Sequence, residues 1–299
     1  MSNPVTRSPI GVSKEPGGQP PISVSQVSTL GASFADDVRV YSEAGLDGIG
    51  VWELKLGDGP DDDAIALWRE SGLGSATAVP AVPSILPLPL LAGPDDPAER
   101  VAAILRSLHR LAAFEPAAVL CFTGPGDRED ALRGLREVVR EAEVLGLRVA
   151  LEPFQAEGIE SWSVLSTLGD AAAVVDEIGS PALGIQFDVW HMWNAPDLFE
   201  EIERHAELIA GVHVNDRREP TRGWADRVLP GDGVAGVPAI LGALERAGWD
   251  GFYDIEVFSD NGTFGAAYPD SLWDVDPAEL VDRGRTQLLE CWSERRVAA

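Results

Sequence analysis

Positive charge is scarce in this chain: 23 Lys and Arg stand against 49 Asp and Glu, for a formal net charge of −26. Such a field repels nucleic-acid phosphates and anionic membrane surfaces, so neither is an expected partner. Cysteine is nearly missing. Cys121 and Cys291 lie far apart in apolar surroundings and fit no metal-type spacing. This excludes a disulfide framework and a thiolate metal site, and two reduced, buried thiols in a cytoplasmic protein are expected. No apolar run is long enough to span a bilayer, and the Pro-, Gly- and Ser-rich stretch 1–20 lacks the apolar core of a signal peptide. That stretch reads as a disordered leader before one domain over 21–299. A Gly-rich phosphate turn is also missing after the first apolar strand, where Ser25-Gln-Val-Ser-Thr-Leu-Gly31 stands instead. A doubly wound open sheet would normally carry one.

What is present is a long alternation. Short apolar runs begin at Ile22, Gly48, Ser75 and Ala117, and four more end at Glu152, Asp188, His213 and Glu256. Amphipathic helical patterns lie between and after them: Phe34–Ala44, Asp61–Ser71, Pro97–Phe114, Arg128–Leu145, Ser163–Ile178, Asp197–Glu207, Val237–Ala247 and Pro277–Arg295. A Pro-rich loop fills 80–94. Strands apolar on both faces suit a parallel sheet covered by helices. About eight βα units is the number that closes a barrel, so the expected fold is α/β, a single-domain (β/α)8 TIM barrel.

The last four strands share one oddity. Leu183-Gly-Ile-Gln-Phe-Asp188, Val149-Ala-Leu-Glu152, Ile209-Ala-Gly-Val-His213 and Phe252-Tyr-Asp-Ile-Glu256 each end an apolar run on a metal-capable side chain. One acid after a strand is most often a helix cap or a solvated loop residue. Four at successive strand ends, on the face where barrel active sites form, converge on one point. Three carboxylates together repel one another, and a divalent cation relieves that repulsion. Oxygen-rich ligation with one imidazole suits Mn²⁺ or Mg²⁺, with Co²⁺, Fe²⁺ or Zn²⁺ also compatible. His191, Asp216 and Arg227 stand close by in sequence, with Gly231 and Gly233 in the loop after Arg227. Trp52 and Lys55 follow the second strand, and with Asp216 they are further candidates for substrate contact. Trp52, Trp190, Trp193 and Phe258 offer either an apolar wall for a polyol or packing at the barrel rim.

Through Leu151-Glu-Pro, Phe187-Asp-Val-Trp-His191, Val212-His-Val-Asn-Asp216, Arg227 with Pro230-Gly-Asp-Gly, and Ile255-Glu256, the chain resembles the xylose-isomerase-like TIM-barrel superfamily. The likeness is to its sugar (phosphate) isomerase/epimerase members and covers about residues 22–295. The resemblance implies that Glu152, Asp188, His213 and Glu256 ligate one divalent metal. It further implies that Glu152 and Glu256 move protons, that His191 and Arg227 hold the substrate hydroxyls and carbonyl, and that the chain pairs as a dimer or tetramer. The first half of the chain, from Trp52-Glu-Leu-Lys55 to the Pro-rich run, matches little residue by residue. No Arg cluster or phosphate loop is evident, which favours an unphosphorylated sugar or polyol.

The chemistry supports the same roles. Removing a proton beside a carbonyl leaves an enediolate, whose charge a divalent ion stabilises. Two glutamates on opposite sides of a carbon can take and return the proton on either face, giving epimerisation. Loss of a β-hydroxyl from the same intermediate gives a lyase instead, of the inosose or dehydroshikimate dehydratase kind or a C-glycoside-cleaving subunit. An abasic-site endonuclease needs more metals, more histidines than the four present, and a basic face. A catalytically silent partner subunit would not need all four ligands.

Overall fold

The computed structural model describes residues 18–88, 93–154 and 162–295. Residues 1–17 of the expected leader lie outside the described residues. Gly18 offers its carbonyl to the Trp292 indole N–H at 3.2 Å.

The apolar runs form β1 (Ile22–Ser25), β2 (Gly48–Gly50), β3 (Gly74–Ser75), β4 (Thr77–Ala78), β5 (Ala118–Cys121), β6 (Val149–Leu151), β7 (Leu183–Asp188) and β8 (Ile209–Val214). A two-stranded antiparallel ribbon follows, β9 (Asp216–Arg217) with β10 (Arg227–Val228), and then β11 (Tyr253–Ile255). The parallel sheet runs β3-β2-β1-β11-β8-β7-β6-β5-β4. Only Ala76 separates β3 from β4, so the two ends of this order are halves of one interrupted third strand, and the ladder closes on itself. This is the expected TIM barrel, and the open-sheet alternative falls with the closure.

Helices α1 (Phe34–Glu43), α2 (Asp62–Ser71), α3 (Pro97–Leu111), α4 (Arg128–Leu145) and α5 (Leu168–Ile178) cover the first half. A single extra turn, α6 (Val189–Met192), precedes α7 (Leu198–His205), α8 (Val237–Arg246) and α9 (Pro277–Glu294). Their starts are written in the sequence. Ser33, Asp96, Asp127 and Asp276 each accept a first-turn N–H, and Pro97 and Pro277 take the first helical position, where no N–H is needed. Helix α5 begins at Leu168 rather than Ser163. Thr167 and Asp170 form a reciprocal capping box, while Ser163 is engaged with Thr123 at 2.9 Å.

The main apolar core lies between barrel and helices, joining strand residues such as Ile49 and Ile185 to helix residues such as Leu108 and Leu241. Each such side chain contributes roughly 1.5–3 kcal/mol by leaving water. The barrel interior is different. Barrels of this kind usually fill it with Val, Ile and Leu, but here Ser23, Ser25, Thr77, Gln186 and Asp254 are buried on strands beneath the C-terminal rim. Thr77 donates to Gln186 there at 3.2 Å. Among the described residues, no helix is long and apolar enough to cross a membrane.

Candidate metal and substrate site

Strands β6, β7, β8 and β11 are consecutive neighbours in the barrel. Asp188 ends β7, His213 is the penultimate residue of β8, and Glu152 and Glu256 directly follow β6 and β11. The four predicted side chains therefore meet. His213 Nδ1 lies 3.3 Å from Glu256 Oε2, 3.7 Å from Asp188 Oδ2 and 3.9 Å from Glu152 Oε1. All four residues are buried.

Asp188 divides its two oxygens between a helix cap and Arg227. Its Oδ1 caps α6 by accepting the Trp190 N–H at 2.7 Å, while Oδ2 accepts from Arg227 Nη1 at 2.9 Å. The same guanidinium nitrogen reaches Glu256 Oε2 at 2.9 Å. The antiparallel ribbon delivers this arginine: Arg227 stands on β10 opposite Arg217. Asn215 was not singled out from the sequence, yet its Nδ2 donates to Asp188 Oδ1 at 3.2 Å and to the Glu256 carbonyl at 3.1 Å, tying β7 to β11.

The electrostatics follow from packing acids together out of water. Burial, reinforced by Asp188, pushes the Glu152 carboxyl well above the usual carboxylate range. Burial works the same way on Asp188, but the Arg227 guanidinium foremost, together with His213, overcomes it and holds that carboxyl low. Burial would lower His213, and the surrounding carboxylates, Glu256 foremost, raise it well above the ordinary imidazole range. Glu152 Oε1 and His213 Nδ1 are buried with no hydrogen-bond partner. Unsatisfied donor atoms at the centre of a convergent O, O, O, N set fit a hard divalent cation.

His191 sits beside the set, with Nε2 at 3.3 Å from Arg227 Nη2 and a ligand-capable atom within 4.8 Å of those on Glu152 and Asp188. Burial drives its imidazole down to about 3, so the ring is neutral at physiological pH. Phe154 packs edge-on against it at 4.4 Å. Arg227 also lies over the Trp190 and Phe258 rings, at 5.3 and 4.8 Å. Trp52 is half-buried against an apolar cluster that includes Phe122, Phe154, Trp162 and Trp190. Of the aromatics singled out in the sequence, Trp52 and Trp190 pack together in this cluster beside the site.

Two expected substrate contacts are not brought to this point. Asp216 turns away: Oδ1 accepts the Arg217 and Ala235 N–H groups at 2.7 and 2.8 Å, and Oδ2 accepts that of Gly231 at 3.0 Å. It fastens the loop after β10. A Cβ on Gly233 would lie 2.5 Å from Asp216 Oδ1, so glycine is required for that close approach. Lys55 is likewise spent on structure, with Nζ at 2.6 Å from Asp37 Oδ2 and 2.7 Å from the Thr29 carbonyl.

Sequence reasoning also passed over Asp254. It is 1% exposed on β11, and burial pushes its carboxyl up to about 7. Period-two alternation was the available signal, because residue 254 must share a face with residue 256.

The sequence profile of the xylose isomerase-like TIM barrel family matches residues 38–285. The chain belongs to this family. One similar protein is a D-psicose 3-epimerase of Enterocloster bolteae, 28% identical over 171 residues that make up 55% of this chain and 52% of that protein. A ketose 3-epimerase of Arthrobacter globiformis is 33% identical over 125 residues, 42% of this chain and 39% of that one. The matched stretches thus span about half or less of those relatives. Among solved structures of the same fold, the IolI protein with a bound zinc atom superposes with a TM-score of 0.75 at 16% identity, over 92% of this chain and 98% of its own. At that identity the likeness is one of fold.

Proposed function

We propose that the chain is a divalent-metal-dependent isomerase or epimerase acting on an unphosphorylated sugar or polyol. The observation that carries this reading is the buried convergence of Glu152, Asp188 and Glu256 on His213 Nδ1, at 3.3 to 3.9 Å, with Arg227 and His191 alongside. These four residues would hold the ion. A donor set without sulfur favours Mn²⁺ or Mg²⁺, and the zinc atom bound in the structurally similar IolI protein keeps Zn²⁺ among the candidates. When bound, the ion acts as a Lewis acid on the substrate carbonyl, favouring loss of the neighbouring proton.

The remaining work belongs to the protein. Glu152 and Glu256 stand at the two ends of the four-strand arc, so a substrate between them meets a carboxylate on either face. Glu152 Oε1, free of any hydrogen bond, can take a proton on one side. Arg227 and neutral His191 orient hydroxyls, and the Phe154–Trp190 wall keeps water from the reacting carbon. The matched relatives are sugar epimerases, which supports returning the proton rather than expelling a hydroxyl; the lyase reading gains nothing from them.

The test is elemental analysis of the purified protein followed by exchange in D₂O with a panel of ketoses and inososes. One equivalent of divalent metal is expected, with deuterium entering beside the carbonyl and neither water nor an aglycone lost from the substrate. A protein that takes up no divalent ion even with added Mn²⁺ would overturn the proposal.

A further inference from the structure

Resting on that metal reading, we propose that Asp254 is the positioning residue of the site. Its carboxylate receives the Nε2 proton of His213 and so fixes the imidazole with Nδ1 as the bare, ligating nitrogen.

The barrel register sets this up. Asp254 is the Cα partner of His213 on one side and of Ser23 on the other, so the three residues stand in line across β8, β11 and β1. Ser23 Oγ donates to Asp254 Oδ1 at 2.8 Å, which orients the carboxylate and leaves Oδ2 facing the ring. Oδ2 lies 3.8 Å from His213 Nε2. Both atoms are buried and neither has another hydrogen-bond partner. A shift of under about 1 Å brings them to hydrogen-bond distance, satisfying two orphaned groups at once. The neighbouring strand is shaped for the carboxylate: a Cβ on Gly50 would stand 2.5 Å from Oδ2.

The chemical consequence is specific. A neutral imidazole carries its proton on one nitrogen only, and a carboxylate that accepts at Nε2 selects the tautomer whose lone pair is on Nδ1. Nδ1 is the nitrogen facing Glu152, Asp188 and Glu256. Ser23 and Asp254 would then act through His213 without touching substrate.

The test is Mn²⁺ titration calorimetry on the wild type and on Asp254→Ala and Ser23→Ala, with ¹⁵N spectra of the Zn²⁺-loaded wild type. Expected are an Nε2–H tautomer at His213, about 10- to 100-fold weaker metal binding in Asp254→Ala, and a smaller loss in Ser23→Ala. A proton on Nδ1, or Asp254→Ala binding within twofold of wild type, overturns the role of Asp254 while leaving the site reading intact. A wild type that binds no divalent ion overturns both. If Asp254→Ala does not fold, the Ser23→Ala affinity and the wild-type tautomer decide: unchanged affinity with the wrong tautomer ends the proposal.

Discussion

At the scale of single residues, the two glutamates are not equivalent. Glu256 is engaged by Arg227, whereas Glu152 keeps an oxygen without a hydrogen-bond partner, and burial and Asp188 raise its proton affinity. Glu152→Gln preserves shape and removes the proton-accepting oxygen. Turnover is therefore expected to fall by about 10²–10⁴, the usual worth of a positioned acid or base, with the melting transition retained. A variant that keeps wild-type turnover would show that Glu152 moves no proton. The four converging residues were legible because each stands where an apolar run stops, a local signal. The loop-fastening contacts of Asp216 were not legible for the opposite reason: its partners are the backbone amides of Gly231 and Ala235, contacts of the folded loop that no local pattern records. Asp254 was legible in principle through alternation, but the terminal Glu256 drew the eye past it.

At the scale of elements, the barrel units were readable from periodicity and their caps from Ser, Asp and Thr. The interruption of the third strand was not, since Ser75-Ala-Thr-Ala-Val79 reads as one run. Lys55 shows a contact between elements that the sequence does not display. It follows β2 toward the rim, where barrels keep their substrate groups, yet it is pinned beneath α1 with its side chain 7% exposed and that of Asp37 0%. Burial opposes the charge on both partners, raising Asp37 and lowering Lys55. Each is therefore tolerable mainly because of the other. Lys55→Met removes the cation and leaves a buried carboxylate with only Gln26 and Thr29 as donors. A loss of about 3–5 kcal/mol in denaturant unfolding is expected, with metal affinity unchanged. The reverse pattern, full stability with impaired substrate binding, would return Lys55 to the substrate site.

At the scale of the whole molecule, the −26 charge attracts any divalent cation, so stabilisation by metal is informative only if it can be traced to the site. An ion bound by the native state at about 100 times its Kd adds about 2.7 kcal/mol. For a chain of this size, about 2 °C of Tm accompanies each kcal/mol, so Mn²⁺ should raise Tm by about 5 °C and a chelator should reverse it. Surface screening by the same ion would also raise Tm, but it is indifferent to one buried side chain. Asp188→Asn separates the two. It changes the surface field negligibly and removes the carboxylate that lies 3.7 Å from His213 Nδ1 and accepts Arg227 at 2.9 Å. The Mn²⁺ shift is expected to vanish in this variant and to persist in a variant of an exposed acid such as Glu43, whose pairing with Arg39 is solvated. Equal shifts in both variants would mean that the ion neutralises the surface, and that the acids at the strand ends hold no metal.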